Sequence, residues 1–225
     1  MRFQDAARDA RAVVYAGIQA DPLVARVAAL LVDASPAERW MARAVMNGER
    51  TDAGTWRRIF PTVFPEGASA SAGAEELLAG SLEVANRGEA ARSQYRGAIV
   101  EELTARLLAS RPSAGVAGPV KRERRVLFDG VPAEIHPYDV TVESPDRPEV
   151  YDCKWGSRGI NADVLNQLDD ARSHAADEEI SVRVAIVVFD ARRSCQIRLD
   201  RSTANRSGTR LVALEDMNDL RETRR

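Results

Sequence analysis

One short stretch decides the fold: Glu149-Val150-Tyr151-Asp152-Cys153-Lys154-Trp155. Its residues favour a β-strand, and side chains alternate between the two faces of a strand. Asp152 and Lys154 are therefore expected on one face, with Tyr151, Cys153 and Trp155 on the other. A compact ammonium next to a carboxylate suits metal-assisted hydrolysis, and arginine is a poor replacement because its charge is delocalised and its pKa is too high.

Lysine is rare in this chain, which makes Lys154 unusual. Of its 32 basic residues only Lys121 and Lys154 are lysines. The net charge of −2 gives no overall basic field, so any nucleic-acid site has to be a local patch. Aromatic residues make up only 5%, which argues against a platform that stacks single-stranded bases.

A second acid is expected beside the first. In the segment 138–142, a strand places Asp139 where antiparallel pairing with 149–155 brings it next to Asp152. Two carboxylates on neighbouring strands repel each other unless a cation lies between them. Mg²⁺ is a hard cation usually held by carboxylates, water and substrate phosphate, so this pair predicts a Mg²⁺ site, with Mn²⁺ as a substitute.

The wider pattern divides the chain into three parts. Residues 1–66 read as a helical region, with a helix starting at Asp21-Pro22 and a capping box at Ser35-Pro36-Ala37-Glu38 whose helix ends at Asn47-Gly48. Residues 67–74 are small and read as a linker. Residues 75–225 are expected to form an α/β domain.

Within that domain the pattern predicts a helix, three strands, a helix and two strands. The first helix covers 92–110, and the strands cover 124–128, 133–143 and 149–155, with a hairpin turn at Asp129-Gly130. The second helix covers 161–176 and joins strands 149–155 and 182–189 as a parallel crossover. A last strand is expected over 194–200, because Cys195, Ile197 and Leu199 alternate.

From about Gln94 to Leu199 the chain resembles the PD-(D/E)XK phosphodiesterase superfamily. The resemblance rests on this element order and on five residues: Glu101, Asp139, Asp152, Lys154 and Gln167. It implies a restriction-endonuclease-like core with a mixed sheet. Tyr138 stands where the proline of the family's name would be, and Pro137 lies one position earlier.

The resemblance also assigns roles. It implies that Asp139, Asp152, Glu101 and the main-chain carbonyl of Cys153 bind the metal, and that Lys154 orients or activates the attacking water. The helical pattern leaves Glu101 and Glu102 as alternatives for the acid on the first helix.

Two further candidates lie at the edge of this site. Gln167 is expected on the sheet-facing side of its helix, either at the active site or bonded to backbone. Ser157 and Arg158, in the loop after the lysine strand, are candidates for contacting a phosphate of the nucleic acid.

The expected protein is thus a Mg²⁺-dependent nuclease acting on phosphodiester bonds, with DNA favoured over RNA by the resemblance. The alternatives are a catalytically silent nuclease-fold subunit that binds protein or nucleic acid, and a helical regulator whose α/β part only dimerises. Residues 1–66 are a candidate surface for a homodimer or a protein partner. No signal-peptide core or membrane-length apolar stretch is visible, which predicts a cytoplasmic protein without a membrane partner.

Overall fold

The chain folds into two compact units. The structure is a computed structural model that describes residues 1–6, 10–48, 52–67, 69–112, 118–132, 136–202, 204 and 208–222. One unit comprises Asp9–Leu103, and the other comprises Met1–Arg8 together with Thr104–Arg225. The first unit is helical and the second combines helices with a sheet.

The helical unit consists of α1 (Ala10–Gln19), α2 (Pro22–Asp33), α3 (Pro36–Asn47), α4 (Ala53–Ile59), α5 (Ala72–Ala85) and the first part of α6 (Glu89–Ala109). The predicted helix starts are confirmed. Asp21 caps α2 by accepting from the Leu23 amide, and Ser35 and Glu38 form the predicted capping box of α3. Gly48 ends α3, as its sequence position indicated.

The boundary between the units differs from the predicted linker at 67–74. Helix α5 packs against α2, α3 and α4, so the residues after position 74 continue the helical unit as far as Leu103. The run of small residues predicted a linker, but it contains the start of a helix, because Ser71 is the N-cap of α5. Residue 68 of the predicted linker lies outside the described residues.

The α/β unit contains β1 (Arg2–Asp5), β2 (Val120–Phe128), β3 (Val131–Pro132), β4 (Tyr138–Val142), β5 (Glu149–Lys154), α7 (Ala162–Asp177), β6 (Arg183–Val188), α8 (Arg192–Asp200) and β7 (Arg210–Val212). The strand order is β1-β2-β4-β5-β6-β7, with β3 paired to β2. Strands β5, β6 and β7 are parallel to one another and the other pairs are antiparallel, so the sheet is mixed. The predicted crossover through α7 is confirmed.

One hydrophobic core lies between the sheet and α7. Leu165, Leu168 and Ala171 of the helix are fully buried in a cluster with Val150 and Ile186 of the sheet. The hairpin after β2 is built as predicted, because Asp129 and Gly130 both have left-handed φ angles, 49° and 81°, as a type I′ turn requires.

Three predicted elements are corrected. Residues 194–200 are a helix, because buried Cys195 and Leu199 are four residues apart and Ile197 between them is 43% exposed. Residues 2–5, at the start of the predicted helical region 1–66, form a strand on the edge of β2. Of the strand expected over 133–143, residues 138–142 form β4, whereas β3 lies before it at Val131–Pro132 and residues 133–135 lie outside the described part.

Among the described residues, no single helix is long and apolar enough to cross a bilayer. Residues Ala12–Gln19 and Pro22–Asp33 meet that test only as a pair, with a bend of 55° between them. The apolar side chains of α2, including Leu23, Val24 and Val27, are buried.

Candidate active site

The two predicted acids lie opposite each other on neighbouring strands. Strands β4 and β5 are antiparallel, with Val140 opposite Tyr151, so the next pair outward is Asp139 opposite Asp152. This is the register that the sequence predicted. Lys154 follows two residues later on the same face as Asp152.

Lys154 lies between the two carboxylates. Its ammonium forms an ion pair with Oδ1 of Asp152 and stands 3.8 Å from Oδ2 of Asp139. The cation that such a carboxylate pair needs is thus supplied by the chain itself. The three side chains are only partly accessible, at 26% for Lys154, 9% for Asp152 and 19% for Asp139.

Burial and charge act against each other on these groups. Burial raises the pKa of the Asp152 carboxyl, and the charge and hydrogen bond of Lys154 offset this only in part. Burial alone would lower the pKa of Lys154, but the charges of Asp139 and Asp152 outweigh it and raise that pKa above its ordinary value. Lys154 is therefore a cation at neutral pH.

The main chain of Cys153 faces Asp139. Its amide donates to Oδ2 of Asp139 over 2.6 Å. The N–H and C=O of one strand residue point to the same neighbouring strand, so the Cys153 carbonyl is also directed toward β4. The Cys153 side chain is 5% exposed on the opposite face, where its thiol donates to Thr104 over 3.5 Å.

The oxygen atoms of this pair of strands are of the chemical type that binds magnesium. Two carboxylates and one main-chain carbonyl are hard oxygen ligands, as Mg²⁺ prefers, and they are on the same two strand ends. The buried thiol of Cys153 points away, so this residue could offer an ion only its backbone carbonyl.

Glu101 belongs to the helical unit. It is 4% exposed and accepts from the hydroxyl of Tyr15 over 2.5 Å and from the side-chain amide of Gln19 over 2.7 Å. Glu102, the alternative, is only half-buried. The prediction that Glu101 joins Asp139 and Asp152 at a metal would link the two units, and it stays a prediction.

Gln167 is bonded to backbone. Its side-chain amide donates to the main-chain carbonyl of His136 over 3.0 Å, and the hydroxyl of Tyr138 donates to the Gln167 carbonyl over 3.0 Å. Together these bonds tie α7 to the start of β4, directly before Asp139. Of the two alternatives that the sequence left open, the backbone bond is the one observed.

Ser157 and Arg158 lie in a single 3₁₀ turn, Ser157–Gly159, which follows the lysine strand. Arg158 is exposed, as a side chain that binds phosphate would be. The Ser157 amide donates to Oδ2 of Asp190 over 2.9 Å.

Two acids near the site were missed by the sequence analysis. Glu123 of β2 lies between the register pairs Arg122–Val140 and Arg124–Tyr138, and so opposite Asp139. One of its carboxylate oxygens is within 4.8 Å of one from Asp139. Its φ angle of 53° is left-handed, which is uncommon for a residue other than glycine and is often found at functional sites.

Asp190 is the second missed acid. It follows β6, is 9% exposed, and accepts from the amides of Ser157 and Ala191 over 2.9 and 2.8 Å. Neither Glu123 nor Asp190 has a local sequence signal, because each becomes relevant only through a strand neighbour far away in the chain.

A separate buried ion-pair network lies at the opposite end of β5. Arg111 donates to both carboxylate oxygens of Glu149 over 3.0 Å and to the Tyr151 hydroxyl over 3.1 Å, and Arg183 donates to Glu149 over 3.1 Å. Burial and the Glu149 charge raise the pKa of Tyr151 well above its ordinary value. Its groups are mutually satisfied, so we regard this network as structural.

No family model matches the chain, and no curated protein matches it. Among solved structures the chain is similar to the crystal structure of protein VC1899 from Vibrio cholerae, with a TM-score of 0.49 and 18% identity. The similarity covers 89% of this chain and 55% of that one, so this chain spans about half of its length. A similarity of this degree does not bear on function.

Proposed function

We propose that this protein is a metal-dependent nuclease with a restriction-endonuclease-like core, which hydrolyses phosphodiester bonds. The observation that carries the proposal is the meeting of Asp139, Asp152 and Lys154 at the ends of two adjacent strands, in the register that places both acids opposite each other. Element order around these residues, with α6 before the sheet and a parallel crossover through α7, supports the same reading.

In the proposed reaction, Asp139, Asp152 and the Cys153 carbonyl would hold Mg²⁺ or Mn²⁺. The bound metal would neutralise the charge that develops on the phosphate and lower the pKa of a bound water. Lys154 donates hydrogen bonds that orient the attacking water and stabilise the negative charge of the transition state. Water adds to phosphorus and gives up a proton to solvent, while the ester oxygen leaves with its electron pair and takes a proton from solvent, so one P–O bond forms as another breaks. We expect the substrate to be DNA and not RNA.

Plasmid cleavage tests this proposal. Purified wild type is incubated with supercoiled DNA and Mg²⁺ or Mn²⁺, with and without chelator, beside Asp152→Asn and Lys154→Met. The matched control is Lys121→Met, which removes the other, exposed lysine. We expect metal-dependent nicking that falls at least 100-fold in both site variants and is unchanged in the control. Cleavage that persists in Lys154→Met would assign the activity to another site or a contaminant.

A second function is favoured by one specific contact. The Lys154 ammonium already pairs with Asp152 and approaches Asp139, so the two acids are held together without a metal. A silent nuclease-fold subunit that binds protein or nucleic acid could keep this triad for stability alone. Titration calorimetry with Mg²⁺ and Mn²⁺ separates the two functions, because the silent subunit would bind neither ion at millimolar concentration and would not cleave DNA.

A further inference from the structure

Lys154 has an unusually close neighbour in the turn that follows its strand. If Gly159 carried a Cβ atom, that atom would lie 2.8 Å from Cδ and 2.9 Å from both Cβ and Cγ of Lys154. Real Cβ atoms essentially never have contacts under 3.0 Å. The three contacted atoms are the near part of the lysine stem, which cannot swing aside without moving the ammonium. Glycine is the one residue that leaves room for the stem.

The turn that presents Gly159 is fixed at both ends. At its start, the Ser157 amide donates to the buried carboxylate of Asp190. At its end, the Ile160 amide donates to the Ser157 carbonyl over 3.1 Å, and the Ile160 side chain is 3% exposed in the core beneath α7. Within the turn, the Gly159 amide donates to the Gly156 carbonyl over 2.9 Å.

Asp190 is itself firmly held. Its second carboxylate oxygen accepts from the Ala191 amide, and its carbonyl accepts from the Leu214 amide over 3.0 Å. One residue earlier, the Phe189 amide donates to the Lys154 carbonyl over 2.9 Å, so the backbones of Lys154 and Asp190 are joined through the parallel strand pair.

We infer that Asp190 and Gly159 are positioning residues for Lys154: Asp190 fixes the 156–160 turn, and Gly159 of that turn confines the lysine stem so that its ammonium stays between Asp139 and Asp152. The steric restriction would hold a flexible four-carbon side chain in one conformation at a site that is about one quarter exposed. The consequence for catalysis rests on the proposed function, but the confinement of Lys154 does not.

The presence of only two lysines allows a direct test. The folded protein is labelled briefly with sulfo-NHS acetate at one pH, and peptide mass spectrometry gives the acetylation rate of Lys154 divided by that of exposed Lys121. The ion pairs should make this ratio low in wild type. Gly159→Ala should raise it at least fivefold, because the added methyl displaces the stem and frees the ammonium.

Two further variants complete the test. Asp190→Asn, whose single amide oxygen cannot accept both hydrogen bonds, should raise the ratio at least threefold. The matched control is Gly156→Ala, in the same turn, where the new Cβ would be an ordinary 3.7 Å from Asp190 Oδ2 and should leave the ratio unchanged. A ratio within twofold of wild type in Gly159→Ala, or an equal rise in Gly156→Ala, overturns the inference. If Gly159→Ala does not fold, Asp190→Asn decides by the same criterion.

The cleavage assay separates positioning from general loss of structure. Gly159→Ala should lower kcat at least tenfold with KM within threefold of wild type and with a melting temperature close to that of Gly156→Ala. Wild type that cleaves no DNA would overturn the proposed function while the labelling ratio still decides the confinement of Lys154. Unchanged kcat despite a raised labelling ratio would show that the confinement has no part in the reaction.

Discussion

Replacing Lys154 by methionine removes the internal cation of the site and keeps most of the stem. Asp152 is then buried opposite Asp139 without its counter-ion. Removing one partner of a buried ion pair costs about 3–5 kcal/mol. Because the Lys154 side chain is 26% exposed, solvent screens part of this interaction, and we expect a loss of about 2–3 kcal/mol at neutral pH. For a chain of this size that corresponds to a fall in melting temperature of about 5–10 °C.

The loss should depend on pH in a defined direction. Burial already raises the Asp152 pKa and Lys154 lowers it, so the variant raises it further. A carboxyl whose folded pKa exceeds the unfolded value of about 3.9 holds its proton more tightly in the folded state, and stability falls as pH rises from there through the folded pKa. The difference between wild type and Lys154→Met should therefore be smallest near pH 5 and largest near pH 8.

Thermal and urea unfolding at pH 5, 6.5 and 8 measure this difference, with Lys121→Met as the matched control, which should lose less than about 0.5 kcal/mol. The double variant Lys154→Met with Asp152→Asn should recover much of the loss, because the uncompensated charge is gone. A loss that is equal at pH 5 and pH 8, or no recovery in the double variant, would refute the role of Lys154 as counter-ion.

Three other variants test the remaining assignments. Arg111→Met leaves buried Glu149 with one arginine and not two, so we expect a loss of about 2–4 kcal/mol in urea unfolding; a loss under 1 kcal/mol would contradict a structural ion-pair network. Gln167→Ala removes the hydrogen bond to the His136 carbonyl and should cost about 1 kcal/mol with cleavage within threefold of wild type, whereas a 100-fold fall at unchanged stability would make Gln167 catalytic. Arg158→Ala should weaken DNA binding and reduce the slope of log K against log salt by about 1, and an unchanged slope would remove Arg158 from the interface.

The part of the site that the sequence predicted follows from short-range rules. Side-chain alternation fixes the relation of Asp152 to Lys154, and a pair of adjacent antiparallel strands leaves few registers for Asp139. Helix caps are equally local, so the starts of α2 and α3 could be located to the residue.

The missed features depend on contacts that no local pattern encodes. Asp190 reaches Ser157 across a parallel strand pair, 33 residues along the chain, and the packing of Gly159 on Lys154 depends on the path of a turn. The strand predicted over 194–200 was wrong for another reason. The spacing of Cys195, Ile197 and Leu199 matches the two-residue period of a strand, but the spacing of Cys195 and Leu199 also matches one turn of a helix. Only the burial of these side chains distinguishes the two.

Lys154 occupies the place where a metal ion would bind, and the resulting competition distinguishes a nuclease from a silent subunit. Its ammonium and a divalent ion would compete for the same two carboxylates. The more Lys154 stabilises the metal-free protein, the weaker the affinity for the metal should be. Lys154→Met should therefore show a larger increase in melting temperature on adding Mg²⁺ than wild type does, since the ion then relieves an unbalanced pair. A nuclease requires that the ion can share the lysine contacts at physiological concentration, and the proposed confinement of the stem by Gly159 would keep the ammonium near the attacking water. A silent subunit has no such requirement, and in that case neither protein would respond to the metal.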